Sequence, residues 1–227
     1  MADWDTHAAL GGHLRDQNAT AEKKPKNEHR WIWFVTGPTA CGKTTVAKAL
    51  AKNLNFTYVE GDDYHPKANV DKMSRGEPLT DADRAGWLQA LAEHETAAPP
   101  TSSSPHLVIT CSALKRHYRD ILRLGSENAG DLRIRFIFLL APEEVLRERA
   151  EKRKGHFAGA NLVRSQFKIL EMPRPDLKEE EGGEHEGGEK DVIVVDVDRG
   201  VEEVERAVIE VVRTEMGREE GDFLRLN

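Results

Sequence analysis

The sequence lacks the features that define several broad classes of protein. Its 227 residues include two cysteines, Cys41 and Cys111, too few for the disulfide framework of a small secreted domain and not spaced as metal ligands. No apolar run approaches the roughly 20 residues of a membrane span. Residues 1–30 also lack the apolar stretch of a secretory signal. These absences favour a cytoplasmic protein whose thiols stay reduced.

An excess of positive charge is missing as well. Lys and Arg number 33 against 40 Asp and Glu, which gives a net charge of −7. Much of the acidity is local, because residues 179–190 hold six Glu and one Lys. The sequence therefore has no basic surface to suggest a nucleic acid or an anionic membrane as partner. We expect small molecules as partners, and a homodimer is left open.

Short apolar runs alternate with helical patterns along the chain. This alternation predicts parallel strands joined by right-handed crossovers, and hence an α/β fold with a doubly wound, five-stranded parallel sheet in three layers. Ligands bind such sheets at the carboxyl ends of the strands. The predicted strands are Trp31–Val35, Phe56–Glu60, Leu107–Cys111, Ile134–Leu140 and Val192–Val197, and the predicted helices are Thr44–Asn53, Leu114–Leu124, Glu143–Lys152 and Val201–Glu215.

The length suits one domain with its own core. We expect that domain over residues 30–216, between a flexible N-terminal tail (1–29) and a C-terminal tail (217–227). Two low-complexity segments interrupt it, a Pro/Ser-rich one at 97–105 and an acidic Gly/Glu insertion at about 178–190. Such compositions are typical of mobile surface loops, and we assign the insertion no chemistry.

The strongest motif is G-x-x-x-x-G-K-T at residues 37–44, preceded by a predicted strand and followed by a predicted helix. In this context backbone N–H groups and the helix N-terminus face nucleotide phosphates. Lys43 would bind the β- and γ-phosphates of ATP, and the Thr44 hydroxyl would hold magnesium. The alternative is a glycine turn that matches the motif by chance. It explains poorly why all four fixed positions of the motif match and why a predicted strand precedes it and a predicted helix follows it. The nucleotide-binding residues predicted from the motif are Gly37, Pro38, Thr39, Ala40, Cys41, Gly42, Lys43, Thr44 and Thr45.

A phosphate loop alone does not distinguish a kinase from a GTPase, a motor or an ATP-dependent sensor. The third predicted strand ends in Thr110-Cys111-Ser112, without the acidic residue that usually provides the second magnesium contact. This departure argues against a motor or GTPase and favours a small-molecule kinase.

Two carboxylates, Glu60 and Asp62, follow each other at alternate positions where the second predicted strand ends. Alternate residues of a strand share a face, so both would point at one site. Phosphoryl transfer uses one acid to orient the water around magnesium and another to accept the proton of the attacking hydroxyl. A solvated acidic turn is the alternative interpretation.

Two pairs of basic residues are spaced four apart, which places each pair on one helix face. Lys115 and Arg119 would bind an anionic acceptor after the third strand. Arg149 and Arg153 precede a Gly-containing run that is typical of a lid closing on phosphates, which we expect at about 152–165. Solvated helix faces, with cations favoured near a helix C-terminus, are the alternative for both pairs.

Together these motifs resemble the gluconate kinase family, over about Trp31 to Val212 except at the two low-complexity segments. The resemblance implies a fold like that of shikimate and nucleoside-monophosphate kinases, with a mobile lid. It also implies ATP-dependent phosphorylation of D-gluconate to 6-phospho-D-gluconate. Glu60 departs from the family pattern, where Asp is common. The segments that carry the resemblance are Gly61-Asp62 with His65-Pro66, Asn69 to Leu88, Cys111 to Asp120, Arg153 to Phe157 and Val194 to Asp198.

The resemblance assigns roles to individual residues of this chain. Asp62 would act as the general base, with Lys43 and Arg153 as the other catalytic residues, and Arg149 would flank the adenine. Thr44 and Glu60 would serve magnesium. The residues that would line the gluconate pocket are Asp62, His65, Arg84, Lys115, Arg119 and Gln166.

Two alternatives stay open at this stage. The acceptor in the first is another small hydroxy acid, such as shikimate. The second is a non-catalytic ATP-binding regulatory protein. Substitution of Lys43, Asp62 or Arg153 by an inactive residue type would favour it, but all three are present. Cys41 also has two interpretations: a thiol that ionises readily beside Lys43 at a helix N-terminus, or one that turns inward against the sheet.

Overall fold

The structure is a computed structural model, and it describes residues 29–75, 77–97, 104–127, 131–152, 157–176 and 188–225. The predicted N-terminal tail lies outside these ranges, apart from His29. The elements in chain order are β1 (Arg30–Thr36), α1 (Lys43–Leu54), β2 (Thr57–Glu60), a 3₁₀ turn (Gly61–Tyr64), α2 (Lys67–Ser74), α3 (Asp81–Ala97), β3 (Leu107–Thr110), α4 (Arg116–Glu127), β4 (Leu132–Leu140), α5 (Glu143–Lys152), α6 (Phe157–Ile169), β5 (Val192–Asp196) and α7 (Val201–Arg225).

The five strands form one sheet in the order β2-β3-β1-β4-β5, and every pairing is parallel. This confirms the predicted doubly wound α/β fold. The central strand β1 pairs with β3 on one side and β4 on the other, with Val35 beside Thr110 and Ile137. The carboxyl ends of β1, β2 and β3 therefore lie side by side, and the predicted motifs follow those three ends.

Two apolar clusters cover the two faces of the sheet. Trp31, Trp33 and Val35 of β1 point into the cluster that includes α1 and α7. Ile32 and Phe34 point into the other, which includes α3 and α4. A strand buried on both faces needs apolar residues at consecutive positions, which explains the uninterrupted run of β1. The rigid core holds the strand ends, and hence the site, in fixed positions.

Several elements differ from the sequence prediction. The helices α2, α3 and α6 were not predicted, and α6 covers most of the segment expected to be a lid. Helix α7 continues to Arg225, so the predicted C-terminal tail is instead mostly its last turns. Within the described ranges, no helix combines the length and hydropathy that crossing a membrane requires.

Candidate active site

The phosphate loop joins β1 to α1 through backbone conformations that favour glycine. Gly37 has φ +129° and Gly42 has φ +99°. A Cβ atom on Gly37 would lie 2.2 Å from the carbonyl oxygen of Leu139 in β4, so the loop passes too close for any side chain. The Gly37 N–H donates a hydrogen bond of 3.1 Å to the carbonyl of Ser112, which joins the loop to the segment after β3.

Lys43 begins α1 and folds back over the loop. Its Nζ donates hydrogen bonds of 3.0 Å to the carbonyl oxygens of both Gly37 and Pro38. The ammonium group therefore lies at the phosphate loop itself, where the sequence motif predicts the β- and γ-phosphates to bind.

Glu60, the last residue of β2, accepts hydrogen bonds from three hydroxyl groups. Thr44 donates at 3.2 Å and Tyr58 at 2.5 Å to Oε2, and Thr110 donates to Oε1. Burial and then Glu60 raise the pKa of Tyr58 to about 12, so its hydroxyl remains a donor at neutral pH. Gly61 permits this arrangement, because a Cβ there would lie 2.0 Å from the Thr110 carbonyl oxygen.

These contacts fit a magnesium ion shared with a nucleotide. Because Thr44 donates its proton to Glu60, the lone pairs of its Oγ1 stay free for a cation. Among the described residues, no group of three or more His, Cys, Asp and Glu side chains is arranged to hold a metal. Magnesium in kinase sites takes one or two protein ligands and completes its shell with phosphates and water.

Asp62 lies in the 3₁₀ turn after β2, so the strand alternation used to predict its orientation was wrong. Its side chain is 70 % exposed at the mouth of the site. Partial desolvation raises its pKa most strongly, Lys43 lowers it, and Glu60 and Asp63 raise it further, with a net upward shift. The charges of Lys43 and Glu60 both act on this carboxyl group, so the three side chains lie near one another.

His65 packs beneath Asp62. Its ring stacks on Trp87 with centroids 4.0 Å apart, and its Nε2 lies 3.8 Å from Oδ1 of Asp62. Desolvation and then the charge of Arg84 lower the pKa of His65 to about 4, so the ring is neutral at neutral pH. Trp87 donates a 2.7 Å hydrogen bond to the carbonyl of Gly61, which ties α3 to the turn that carries Asp62.

Arg84 and Lys115 lie against the same aromatic ring. Each cationic group is 5.7 Å from the ring centroid of Tyr118. Lys115 also forms an ion pair of 2.7 Å with Asp81, and the Tyr118 hydroxyl donates to that carboxylate at 2.5 Å. The two predicted acceptor residues are therefore brought together, with Asp81 as an unpredicted third member.

Arg119 is placed differently from its prediction. The guanidinium is fully buried and makes a bidentate ion pair with Glu189, with both distances 2.7 Å. Burial raises the pKa of Glu189, but the hydrogen bonds and charges of Arg119 and Arg123 together hold it below its usual value. Glu189 is 5 % exposed, so the carboxyl end of the acidic insertion is not the solvated spacer that composition suggested. Residues 177–187 lie outside the described ranges.

Gln166 contacts the phosphate loop, and Arg149 lies beside it. Gln166 accepts a 2.6 Å hydrogen bond from the Thr39 N–H, which ties α6 to the loop rather than to the acceptor residues. Arg149 donates to the carbonyl of Val197 at 2.8 Å. Both Arg149 and Val197 border a cavity of about 360 Å³ beside the loop, whose other lining residues are Ala40, Cys41, Gly42, Thr45, Val46, Lys152, Arg199, Val201 and Val204.

The predictions for Cys41 and Arg153 differ in whether the structure describes the residue. Cys41 is 3 % exposed, and burial raises its pKa despite the opposing charge of Lys43, so the inward-facing interpretation of this thiol is the right one. Arg153 lies outside the described residues, and its role stays a prediction from the resemblance. Sequence reasoning missed Tyr58, although its position two residues before Glu60 on a strand gives a signal that the two share a face.

Comparison with known proteins gives a consistent result. Residues 32–172 match the family described as "AAA domain". The chain is 43 % identical over 189 residues to the "Probable gluconokinase" of Schizosaccharomyces pombe, covering 83 % of this chain and 91 % of that protein. It is 38 % identical over 187 residues to the thermoresistant gluconokinase of Escherichia coli, covering 82 % and 96 %. The crystal structure of a gluconokinase from Sinorhizobium meliloti superimposes with a TM-score of 0.67 at 33 % identity, covering 89 % and 99 %.

Proposed function

The chain belongs to the gluconokinase family, and we propose that it transfers the γ-phosphoryl group of ATP to D-gluconate, giving ADP and 6-phospho-D-gluconate. One observation supports this most directly: the side chains predicted for the site lie near one another between the phosphate loop and Lys115. Thr44 contacts Glu60, and Asp62 follows two residues later beside His65. Arg84 acts on the pKa of His65 and shares the Tyr118 ring with Lys115. A phosphate donor at one end and an anionic acceptor at the other would meet among these side chains.

Asp62 is the residue we propose as general base. It would accept the proton of the attacking gluconate hydroxyl as the new P–O bond forms and the bond to ADP breaks. Its exposed position at the mouth of the site gives a substrate access to the carboxylate. Lys43 would stabilise the charge on the transferring phosphoryl group, together with the amides of the loop. The family resemblance adds Arg153 to this group.

Thr44 and Glu60 are the residues we propose for magnesium. Thr44 Oγ1 would bind the ion directly, and Glu60 would hold the Thr44 hydroxyl and orient water around the ion. The ion would neutralise charge on the β- and γ-phosphate oxygens. Glu60 is longer than the Asp that is common in the family at this position. Hydrogen bonds from Tyr58 and Thr110 keep its side chain directed at Thr44.

The acceptor pocket would use Lys115, Arg84 and His65. Lys115 and Arg84 would attract the carboxylate of gluconate, which would share Lys115 with Asp81 and Arg84 with the carbonyls of Leu79 and Thr80. Neutral His65, whose side chain is 4 % exposed, would line the pocket from beneath Asp62. On the other side of the loop, the cavity beside Arg149 would take the adenine.

A cytoplasmic location and a homodimer stay predictions, which fractionation and analytical ultracentrifugation would test.

The test is turnover with a panel of acceptors. ADP release would be measured with D-gluconate, other sugar acids and shikimate, and the product identified by mass spectrometry and ³¹P NMR. We expect kcat/KM for D-gluconate to exceed that for each other acceptor by about tenfold or more. Asp62→Asn serves as the control for contaminating ATPase. ADP release that gluconate does not stimulate, or a higher kcat/KM with shikimate, would contradict the proposal.

A further inference from the structure

A buried ionic network connects α4 to the segment before β5. Arg119 and Glu189 form its centre, with exposures of 0 % and 5 %. Arg123 adds a hydrogen bond of 2.8 Å to Glu189 and a bidentate pair with Asp191 at 2.7 and 3.0 Å. Removing one member of such a buried pair leaves the other charge without compensation. The network therefore fixes the orientation of Arg119 firmly.

The remaining donors of Arg119 bind two backbone segments near the acceptor residues. Its Nη1 donates to the carbonyl of Ala113 at 2.9 Å, and its Nη2 donates to the carbonyl of Glu171 at 3.3 Å. The two segments also bind each other, because the Glu171 N–H donates to the Leu114 carbonyl at 3.0 Å. Arg119 thus joins the β3–α4 loop, residues 111–115, to the chain that follows α6.

The β3–α4 loop has an unfavourable backbone conformation at one residue. Ala113 has φ +37°, in the left-handed region that residues with a side chain rarely adopt. Such a conformation persists only when its surroundings impose it. On either side of Ala113, the Ser112 carbonyl accepts the Gly37 N–H, and Lys115 contacts Asp81 and Tyr118. The shape of this loop therefore sets the position of Lys115 relative to the phosphate loop.

We propose that Arg119 and Glu189 form a positioning pair for the acceptor site, holding the β3–α4 loop in the conformation that presents Lys115 to the substrate. Arg119 acts through the Ala113 carbonyl and does not touch gluconate, and Glu189 acts through Arg119. The acidic insertion therefore ends in a residue on which acceptor binding depends. This inference rests on the proposed kinase function, because the acceptor must be known before its binding can be measured.

The alternative is that Arg119 binds the substrate carboxylate directly, and the two cases predict opposite effects of Glu189→Gln. If Arg119 is a ligand, loss of the competing carboxylate frees its guanidinium, and gluconate binding improves or is unchanged. If the pair positions the loop, the same change releases the Ala113 carbonyl and weakens gluconate binding. The near-isosteric substitution keeps the packing volume, so the comparison isolates the charge.

The experiment measures KM for gluconate, KM for ATP, kcat and thermal stability in four variants. In Glu189→Gln and Arg119→Lys we expect KM for gluconate to rise about tenfold and KM for ATP to change by less than about twofold. Glycine adopts φ +37° without the cost of a Cβ, so adding Ala113→Gly to Glu189→Gln should recover about half of that rise on a logarithmic scale. Glu215→Gln is the control, because it breaks the partly buried pair with Arg135 between β4 and α7.

Several outcomes would overturn the positioning role. A lower Tm with unchanged KM for gluconate would make the pair purely structural. A KM that falls in Glu189→Gln but rises in Arg119→Lys would make Arg119 a ligand. If Glu189→Gln does not fold, Glu189→Asp, which keeps the charge and shortens the reach, is judged by the same criteria. If the parent protein phosphorylates another acceptor, the proposed function fails, and the same variants are compared on that acceptor.

Discussion

Thr44 and Glu60 lie at the start of α1 and the end of β2, and a hydrogen bond of 3.2 Å joins the Thr44 hydroxyl to Oε2 of Glu60. The bond fixes where the proton of that hydroxyl points, and it leaves the oxygen lone pairs directed elsewhere. Tyr58 donates to the same oxygen of the carboxylate, and Thr110 donates to Oε1. A longer acid than the Asp common in the family is thereby held in one orientation.

The first prediction concerns magnesium. Glu60→Gln replaces an acceptor-only group with one that also carries an N–H₂, which cannot accept all three hydroxyl donors. We expect the magnesium concentration for half-maximal turnover to rise about tenfold or more, in line with other residues that orient metal ligands. Calorimetry of ADP binding with and without magnesium gives a readout independent of turnover. Tyr58→Phe removes a single donor and should have a smaller effect in the same direction, whereas unchanged magnesium dependence in both variants would rule out the role.

The second prediction concerns the general base. Asp62→Asn keeps the shape of the side chain but cannot accept a proton, so we expect kcat to fall about 10²-fold or more while ADP affinity is retained. Because the pKa of Asp62 is raised, kcat/KM of the parent should decline on the acid side at a pH above the ordinary carboxylate value of about 3.9. Turnover of the variant within a few-fold of the parent would remove Asp62 from this role.

The third prediction follows from the lowered pKa of His65. The unfolded chain binds a proton at this residue below about pH 6.5, whereas the native protein does so only near pH 4. Stability should therefore decrease as the pH falls from 7 towards 4, and His65 should account for about 2 kcal/mol of the loss between pH 7 and pH 5. Urea unfolding at the two pH values, compared between the parent and His65→Gln, measures this contribution. An equal loss in both proteins would show that another group is responsible.

The elements that could be predicted from sequence are those whose pattern is local. Residues Trp31–Val35 of β1 are all apolar because both faces of the strand are buried, and the glycines of the phosphate loop follow from its backbone conformations. Helix α3 was missed although Trp87, Leu88 and Leu91 have helical spacing, because its first half is acidic and contains a glycine.

The parts that could not be predicted depend on distant contacts. Glu189 lies in a Gly/Glu-rich segment whose composition is typical of a solvated loop, and its partner Arg119 is 70 residues earlier in the chain. Likewise, Gln166 reaches the Thr39 amide across 127 residues. Periodicity and composition contain no information on such pairs, since the burial of each residue depends on the tertiary fold.

The fourth prediction distinguishes two roles for Gln166. Because Gln166 accepts the Thr39 N–H of the phosphate loop, Gln166→Leu, which removes the acceptor at similar size, should raise KM for ATP about fivefold. Gln166→Glu keeps the acceptor but adds a negative charge beside the phosphates, and it should also weaken ATP binding. KM for gluconate should change less than KM for ATP in both variants. If only the KM for gluconate changes, Gln166 belongs to the acceptor pocket.

The last prediction concerns the acidic insertion. Replacing residues 179–187 with a short Gly/Ser turn should leave kcat/KM within about twofold of the parent, because a change in the length of a connecting segment costs little free energy. Extending the deletion through Glu189 removes the carboxylate that pairs with the fully buried Arg119. We expect that variant to lose about 3–5 kcal/mol of unfolding free energy, since a buried guanidinium is left without its partner. Urea unfolding of the two deletions compares them directly, and equal stability would show that the Glu189 pair contributes nothing to the fold.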